Sequence, residues 1–224
     1  MSALSWDELK VWLSNHHALD TSIESPQMIK RLDLSGRSLE ELPESIGLLS
    51  GLTVLNLSNN HLHTLPDSFE KLTMLSNLNI RRNRFECIPD VLAELPLRSL
   101  NANGNQIENV SILSQCKDLR VVDLSVNAIT SMDIEIKKEN ELRVVNLSSN
   151  YLQEMSSFFT NFCHVERLDL SGNLITSIPS SIENMHALIE LKISDNSIEQ
   201  IDDAIFSLSL ENIDLSSNQI TLWI

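Results

Sequence analysis

Two short groups of residues in this chain have side chains that could do chemistry. Cys163 and His164 stand side by side and would act as a nucleophile and its base if their side chains met. His16 and His17, followed by Asp20, have the residue types of a metal site. Adjacent residues on a helix or an irregular turn point in different directions, so neither group is expected to act as a unit. The chain also lacks a Gly-rich phosphate loop and the H-E-x-x-H and G-x-S-x-G motifs. We therefore predict no enzyme activity, no catalytic residue, no metal site and no cofactor.

A third group, Arg81-Arg82-Asn83-Arg84, is basic in an acidic chain. Among 224 residues there are 16 Lys and Arg against 31 Asp and Glu, which gives a formal charge of −15. A strongly acidic surface repels phosphate backbones and anionic lipid, so neither nucleic acid nor a membrane is an expected partner. The basic group is instead a candidate contact for a protein, and its role depends on where each side chain points.

The composition also bears on the cellular location. No apolar run approaches the roughly 20 residues that span a bilayer. The first residues lack the basic region of a signal peptide and carry Asp7, Glu8 and Lys10 where that peptide would be apolar. The three cysteines are odd in number and widely spaced, which argues against a disulfide framework. These features predict a cytoplasmic protein, in its own cell or in a host cell that receives it, and not secretion through a signal peptide.

An internal repeat must position the basic group and the Cys163–His164 pair. Apolar residues recur as L-x-x-L-x-L-x-x-N-x-L-x-x-L, and the plainest copies read LTVLNLSNNHLHTLPDSFEKL and VERLDLSGNLITSIPSSIENM. We number each residue by its distance from the start of its copy, which is position 0. The starts lie 22 or 23 residues apart, at Ile29, Leu52, Leu75, Leu97, Leu119, Leu142, Val165, Leu188 and Leu210.

This repeat resembles the leucine-rich repeat family over residues 29–224. The L-P-x-x-I turns are similar to those of intracellular Ras-scaffold and bacterial repeat proteins, and the 22-residue copies resemble phosphatase-regulating proteins. Alternation of apolar and polar residues after position +2 predicts one short strand in each copy. Stacked copies would form an α/β solenoid, a curved leucine-rich repeat whose parallel β-sheet lines the concave face.

Two further positions of the repeat complete the predicted fold. The resemblance implies that the asparagines of position +8 turn inward and hydrogen-bond the backbones of adjacent turns; they are Asn60, Asn83, Asn105, Asn127, Asn150, Asn173, Asn196 and Asn218. Position +14 predicts short helical or 3-10 turns on the convex side, because proline suits the first turn and Ser or Asp caps it. It is occupied by Pro43, Pro66, Pro89, Ser111, Asp133, Ser156, Pro179 and Asp202.

The two ends of the array are expected to differ. Residues 1–28 predict an N-terminal helical cap, since Ser5 and Glu8 form a capping-box pattern and apolar residues follow at helical spacing, at Trp6, Leu9, Trp12 and Leu13. Residues 29–224 predict about nine repeats, the last of them incomplete. Trp223 then occupies a core position with no residue packed over it. We expect either a homo-oligomer through this C-terminal edge or a chain that continues.

The concave face is the candidate binding surface. Positions +2, +4 and +6 are expected to face it, and most of them are small polar residues. The exceptions are an apolar spot of valines and Arg81, which has no acidic neighbour at these positions. We predict that a protein partner contacts Arg81, Arg82, Asn77, Asn79, Asn101, Asn103, Val121, Asp123, Val126, Val144, Asn146, Arg167 and Asp169.

The repeat separates the three arginines of the basic group. Arg81 at position +6 points into the concave face, Arg82 at +7 lies on the rim and Arg84 at +9 lies on the flank. We expect Arg81, as an unpaired arginine, to bind a carboxylate of the partner. Two other functions stay open. In the first, the chain is the substrate-recognition part of a larger protein, such as a bacterial effector that resembles a ubiquitin ligase. In the second, it is a structural protein that assembles through its C-terminal edge.

Overall fold

A computed structural model describes residues 5–18, 23–132, 141–155 and 162–223 of the chain, with side chains up to 221. Nine short strands form one parallel sheet and pair in chain order. The repeat predicts one short strand in each copy, and each observed strand occupies positions +2 to +4. The strands are β1 (Arg31–Asp33), β2 (Val54–Asn56), β3 (Asn77–Asn79), β4 (Ser99–Asn101), β5 (Val121–Asp123), β6 (Val144–Asn146), β7 (Arg167–Asp169), β9 (Glu190–Lys192) and β11 (Asn212–Asp214).

The register of the sheet places equal positions of successive copies side by side. Val121 lies opposite Val144, and Val144 lies opposite Arg167. Position +3 points into the core, where Val122 and Leu168 are almost fully buried. Because the side chains of a strand alternate between its two faces, positions +2 and +4 form two rows across the concave side. A residue's repeat position therefore gives its place on the surface.

Short 3-10 turns return the chain along the convex side. In the described residues they span Pro26–Met28, Glu44–Leu48, Asp67–Lys71, Asp90–Glu94, Ser111–Ser114, Ser180–Asn184 and Asp203–Ser207. Asp202 caps its turn, since its Oδ1 accepts a hydrogen bond from the backbone N–H of Ala204 at 2.9 Å. The expected cap at Ser111 is wrong, because Ser111 is the first residue of its turn and its N–H donates to Oδ1 of Asn109 at 2.8 Å. The other two expected caps, Asp133 and Ser156, lie outside the described residues.

A second, smaller parallel sheet was not predicted. Its strands are β8 (Ser177–Ile178), β10 (Gln200–Ile201) and β12 (Leu222–Trp223), with β10 in the centre. They occupy positions +12 and +13 of the last three copies, where the chain turns toward the convex side. The backbone of Trp223 pairs with that of Ile201, whereas the side chain of Trp223 lies outside the described residues.

Buried asparagine amides join the copies behind the sheet. Oδ1 of Asn127 accepts a hydrogen bond from the N–H of Ile107 at 3.0 Å, and its Nδ2 donates to the carbonyls of Ala102 and Leu124 at 3.1 and 2.9 Å. One side chain thus satisfies backbone groups of two neighbouring copies, which would otherwise be buried without partners. The same kind of bond is made by Asn60, Asn83, Asn105, Asn150, Asn173, Asn196 and Asn218.

One α-helix, α1 (Trp6–Asn15), packs over the first repeat. Ser5 caps it, because its Oγ accepts a hydrogen bond from the N–H of Glu8 at 3.5 Å. Leu9 and Leu13 are fully buried, so the apolar stripe of the helix covers the end of the core.

Arg37 attaches the end of α1 to the first repeat. It occupies position +8, where the other copies have asparagine. Its guanidinium donates to the backbone carbonyls of His16 and His17 at the end of the helix, and to the carbonyl of Asp33 at 3.2 Å. A cation is favourable at a helix C-terminus, where carbonyls lack intrahelical partners. The sequence signal for this contact is the arginine that replaces an asparagine.

Candidate functional site

Most of the predicted contact residues share the concave side of five neighbouring strands. One row runs Asn77, Ser99, Val121, Val144 and Arg167 across β3–β7. Beside it runs the row Asn79, Asn101, Asp123, Asn146 and Asp169. Arg81 and Asn103 follow the second row at position +6. Arg82 and Val126 lie one residue further on, at position +7, where the backbone turns away from the concave side with φ of 52° and 58°.

Position +4 has a structural role that the sequence reasoning missed. Its side-chain oxygen accepts a hydrogen bond from the backbone N–H two residues later. The N–H of Arg81 donates to Oδ1 of Asn79 at 3.0 Å, and the N–H of Ser125 donates to Oδ1 of Asp123 at 3.1 Å. This Asx turn ends eight of the nine strands, the exception being β9 with Lys192 at this position. An Asn or Asp two residues before a turn is the sequence signal for it. The residues of this row therefore present only part of their polar groups to a partner. Asn101, Asn146 and Asp169 each accept the same kind of hydrogen bond.

Arg81 is held by a hydrogen bond to a neighbouring polar side chain. Its Nε donates to Oδ1 of Asn103 at 2.9 Å. Nδ2 of Asn103 donates to Oγ of Ser125 at 2.7 Å, and that hydroxyl donates to Oδ1 of Asp123 at 2.5 Å. Among the described residues no carboxylate lies within salt-bridge distance of Arg81. The guanidinium is exposed on the concave side, and its orientation is fixed by this chain of hydrogen bonds.

Two valines interrupt the polar surface next to that chain. Val121 is 40% exposed, and Val144 is half-buried beside it on the neighbouring strand. Their backbones hold the valines one strand spacing apart, so together they form one apolar contact area. Val126, which the sequence placed in the same spot, belongs instead to the rim of the sheet.

Charged residues follow the valines on the next strands. Arg167 Nε lies 3.5 Å from Glu190 Oε2, and Lys192 Nζ lies 3.2 Å from Glu190 Oε1. These side chains line a shallow depression of about 260 Å³ together with Val144 and Asp169. Ion pairs at such exposure contribute little to stability, so a partner's charged groups could replace them at small cost.

A row of arginines at position +1 was also missed. It consists of Arg98, Arg120 and Arg143 in consecutive copies. The backbone N–H of Arg120 donates to the carbonyl of Arg98 at 2.9 Å, and the N–H of Arg143 donates to the carbonyl of Arg120 at 2.8 Å. The guanidinium of Arg143 lies 3.6 Å from Oε2 of Glu141 and 3.9 Å from Oε1 of Glu166. The other two have no carboxylate at salt-bridge distance within the described part of the chain. The sequence signal for this row is the recurrence of arginine at position +1 in three consecutive copies.

The three cysteines are free and differ in exposure: Cys87 is exposed, Cys116 is buried and Cys163 is partly buried. Burial raises the pKa of the Cys116 thiol to about 11, so this cysteine stays protonated at neutral pH. Nδ1 of His16 is 2.7 Å from the backbone carbonyl of Trp12, and Asp20 lies outside the described residues. Within the described ranges no three His, Cys, Asp or Glu side chains are grouped as a metal site. Nor does any helix there have the length and apolar character to cross a membrane.

Comparison with known proteins identifies the repeat. The sequence profile of the family described as "Leucine rich repeat" matches residues 27–85 and 163–220. A search of curated proteins finds no match. Among solved structures, a leucine-rich repeat protein of Leptospira interrogans is 30% identical with a TM-score of 0.77, and the match covers 87% of this chain and 50% of that one. The chain thus spans half the length of that protein.

Two further structures share the fold at lower identity. The leucine-rich repeat ectodomain of the Arabidopsis thaliana membrane receptor kinase GASSHO1/SCHENGEN3, in complex with Casparian strip integrity factor 2, is 24% identical with a TM-score of 0.60, covering 87% of this chain and 27% of that one. TLR13, in its complex with ssRNA13, is 21% identical with a TM-score of 0.72, covering 98% of this chain and 35% of that one. With its matching profile and its nine-stranded parallel sheet, this chain belongs to the leucine-rich repeat family.

Proposed function

We propose that the chain is a protein-interaction module that binds its partner on the concave face, with the contact centred on β5–β7. Curved solenoids use their concave surfaces for binding. The observation that carries the proposal is the apolar pair of exposed Val121 and half-buried Val144, which lies between two different polar groups. On one side is the hydrogen-bonded chain that begins at Arg81, and on the other is the ion-paired Arg167.

This arrangement suits a protein better than a small molecule. Protein interfaces combine an apolar centre with a polar rim, whereas small-molecule sites enclose most of their ligand. The depression beside Val144 is about 260 Å³ and shallow, so a small ligand would stay largely in water. A net charge of −15 disfavours nucleic acid, although the fold itself does not exclude it. We therefore assign the surface to a protein and not to RNA, DNA or a membrane.

The absence of catalysis and the cytoplasmic location belong to the same proposal. Cys87, Cys116 and Cys163 are free, and Cys87 is exposed, which is usual for proteins of a reducing compartment. Since the fold also occurs in a receptor ectodomain, the location rests on these thiols and not on the fold. The two alternatives, the recognition part of a larger protein and assembly through the C-terminal edge, remain predictions.

A capture experiment with matched variants tests the concave face. The bait proteins are the parent, Arg81→Glu with Val144→Asp on the concave side, and Glu70→Lys on the convex side. We expect a specific protein captured by the parent and by Glu70→Lys. Purified, it should bind the concave variant at least about tenfold more weakly in calorimetry, a change of about 1.4 kcal/mol.

Equal binding of that purified partner to the parent and to the concave variant would remove the concave-face proposal. Circular dichroism melting curves of all three proteins serve as the control, because loss of the fold would also abolish capture. The convex variant shows whether a charge reversal outside the concave face also changes binding.

A further inference from the structure

A second exposed apolar area lies beside the concave face, where the strands end. We call this line the carboxyl rim and define it as positions +7 and +9 of successive copies. In its middle, Val126 is 53% exposed, Tyr151 is 55% exposed and Leu174 is 47% exposed. The protein has one tyrosine, and the rim presents it to solvent. Large apolar side chains grouped at a surface are more informative than single exposed ones.

The backbone holds Tyr151 and Leu174 as neighbours. The N–H of Tyr151 donates to the carbonyl of Ile129 at 2.9 Å, and the N–H of Leu174 donates to that of Leu152 at 2.8 Å. Both residues occupy position +9 of adjacent copies, so they are about 5 Å apart along the solenoid. Leu174 also borders a depression of about 710 Å³ between the copies, lined otherwise by mostly polar residues. The rim thus offers both an apolar ridge and space for a side chain next to it.

Val126 is in a backbone conformation that does not suit its side chain. Position +7 is left-handed in all nine copies, with φ of 58° at Val126. The other eight residues at this position lack a branched Cβ: Gly36, Asn59, Arg82, Gly104, Ser149, Gly172, Asp195 and Ser217. A β-branched residue is an outlier in this region of backbone space. Because its side chain is also half exposed, packing in the core does not account for the valine, and a strained exposed residue suggests a role in binding.

Opposite charges lie at the two ends of this apolar stretch. Toward the N-terminal end, Arg82 and Arg84 are exposed, and no carboxylate of the described residues is at salt-bridge distance. A Cβ on Gly104 would lie 3.3 Å from Cγ of Arg82, so this arginine extends along the rim toward Val126. Toward the C-terminal end the rim carries the exposed Asp195.

One more row of charge lies beside the rim. Glu86, Glu108 and Glu199 are exposed at position +11, further from the sheet. All three lie on the convex side of the rim, and none is at salt-bridge distance from Arg82 or Arg84. The rim itself therefore keeps its order of basic, apolar and acidic residues.

We propose that the carboxyl rim of copies three to eight binds an extended protein segment with a charge order complementary to its own. The segment carries an acidic residue for Arg82 and Arg84, apolar side chains for Val126, Tyr151 and Leu174, and a basic residue for Asp195. Copies three to eight span five strand spacings, or about 25 Å, which an extended segment of about eight residues covers. This surface is distinct from the concave site, and either can exist without the other.

The test is a selection of peptides with ten random residues, displayed on phage, against the intact protein. Enriched sequences are synthesised with a fluorescent label, each with a matched peptide of the same composition that has its charges in the middle and its apolar residues at the ends. Anisotropy then measures binding to the parent, to Tyr151→Ser with Leu174→Ser, and to Val126→Asn. Met74→Ser is the control, since it removes another exposed apolar side chain, 52% exposed, outside the rim.

We expect enriched peptides with charges at opposite ends and apolar residues between them. The parent and Met74→Ser should bind them equally, and the double rim variant at least about tenfold more weakly. Val126→Asn should also weaken binding, and because this change relieves backbone strain, unfolding cannot cause the loss. Peptides that bind the double rim variant as tightly as the parent overturn the proposal, as does equal binding of the matched peptide. If Val144→Asp weakens peptide binding and the rim variants do not, the peptides bind the concave face, and this result also overturns the rim proposal.

Discussion

Replacement of Val126 by asparagine should stabilise the protein, although it removes an apolar side chain. Val126 has φ of 58°, in the left-handed region where Cβ is too close to the following carbonyl oxygen. Asparagine tolerates this conformation better, and Asn59 adopts it at the same repeat position with φ of 57°. The change therefore replaces a strained residue by one that the fold already accepts.

The size of the gain follows from two opposing contributions. The left-handed conformation costs an ordinary L-residue about 1–2 kcal/mol, most of which asparagine avoids. The valine side chain is 53% exposed, so its loss forfeits about half of the burial energy of a valine, or about 0.7 kcal/mol. The difference is a net stabilisation of about 1 kcal/mol, which for a protein of this size raises the melting temperature by about 2–4 °C.

Urea unfolding followed by circular dichroism provides the assay, with Ser149→Val as the reciprocal variant. Ser149 has φ of 56° at position +7 of the next copy and is exposed. A valine there should lower the free energy of unfolding by about 1 kcal/mol. The reasoning is refuted if Val126→Asn unfolds at the same or a lower urea concentration than the parent while Ser149→Val is tolerated.

Three other substitutions have effects that the structure predicts. Asn127→Ala leaves buried backbone groups of two copies without partners and should lower the free energy of unfolding in urea by about 3 kcal/mol. Its control, Asn184→Ala, removes one exposed hydrogen bond and should lower that free energy by less than about 0.5 kcal/mol. Burial raises the pKa of Cys116 from 9.0 to about 11, so its contribution to stability is complete below pH 9 and is lost as the pH rises toward 11. Melting curves of Cys116→Ala should lack this part of the alkaline decline, about 3 kcal/mol. Gly47→Ala places a Cβ 2.5 Å from the carbonyl oxygen of Ser68 and should lower the urea midpoint by an amount equivalent to about 2 kcal/mol.

The sequence predicted the strands well because each copy repeats the same physical constraints. A single apolar pattern predicted one strand in each copy, and the structure places all nine strands at positions +2 to +4. The pattern carries this information because neighbouring copies must bury the same face against each other. The helix α1 was equally predictable, since Ser5 and Glu8 mark its start and the apolar spacing marks its buried side.

What the sequence did not show depends on which atoms meet across copies. The repeat placed Asn103 beside Arg81, but it did not show that Asn103 Oδ1 accepts a hydrogen bond from Arg81 Nε. Val126 shares position +7 with Arg82, so its repeat position, and not its residue type, shows that it leaves the concave face. The small convex sheet escaped prediction because two residues per strand are too few to show an alternating pattern.

The structure limits which residues of the concave face could give specificity. Position +8 uses its amides inside the solenoid, and position +4 uses one oxygen to end each strand. Both contributions recur in eight of the nine copies, with Arg37 at position +8 and Lys192 at position +4 as the exceptions, so they do little to distinguish one partner from another. Differences between copies also occur at position +2, where Val121 and Val144 are followed by Arg167, at position +6, where Arg81 replaces a small polar residue, and at position +7, where Val126 interrupts small or polar residues. A partner that recognises this chain and not another solenoid of the same fold is therefore expected to contact position +2, Arg81 or the rim.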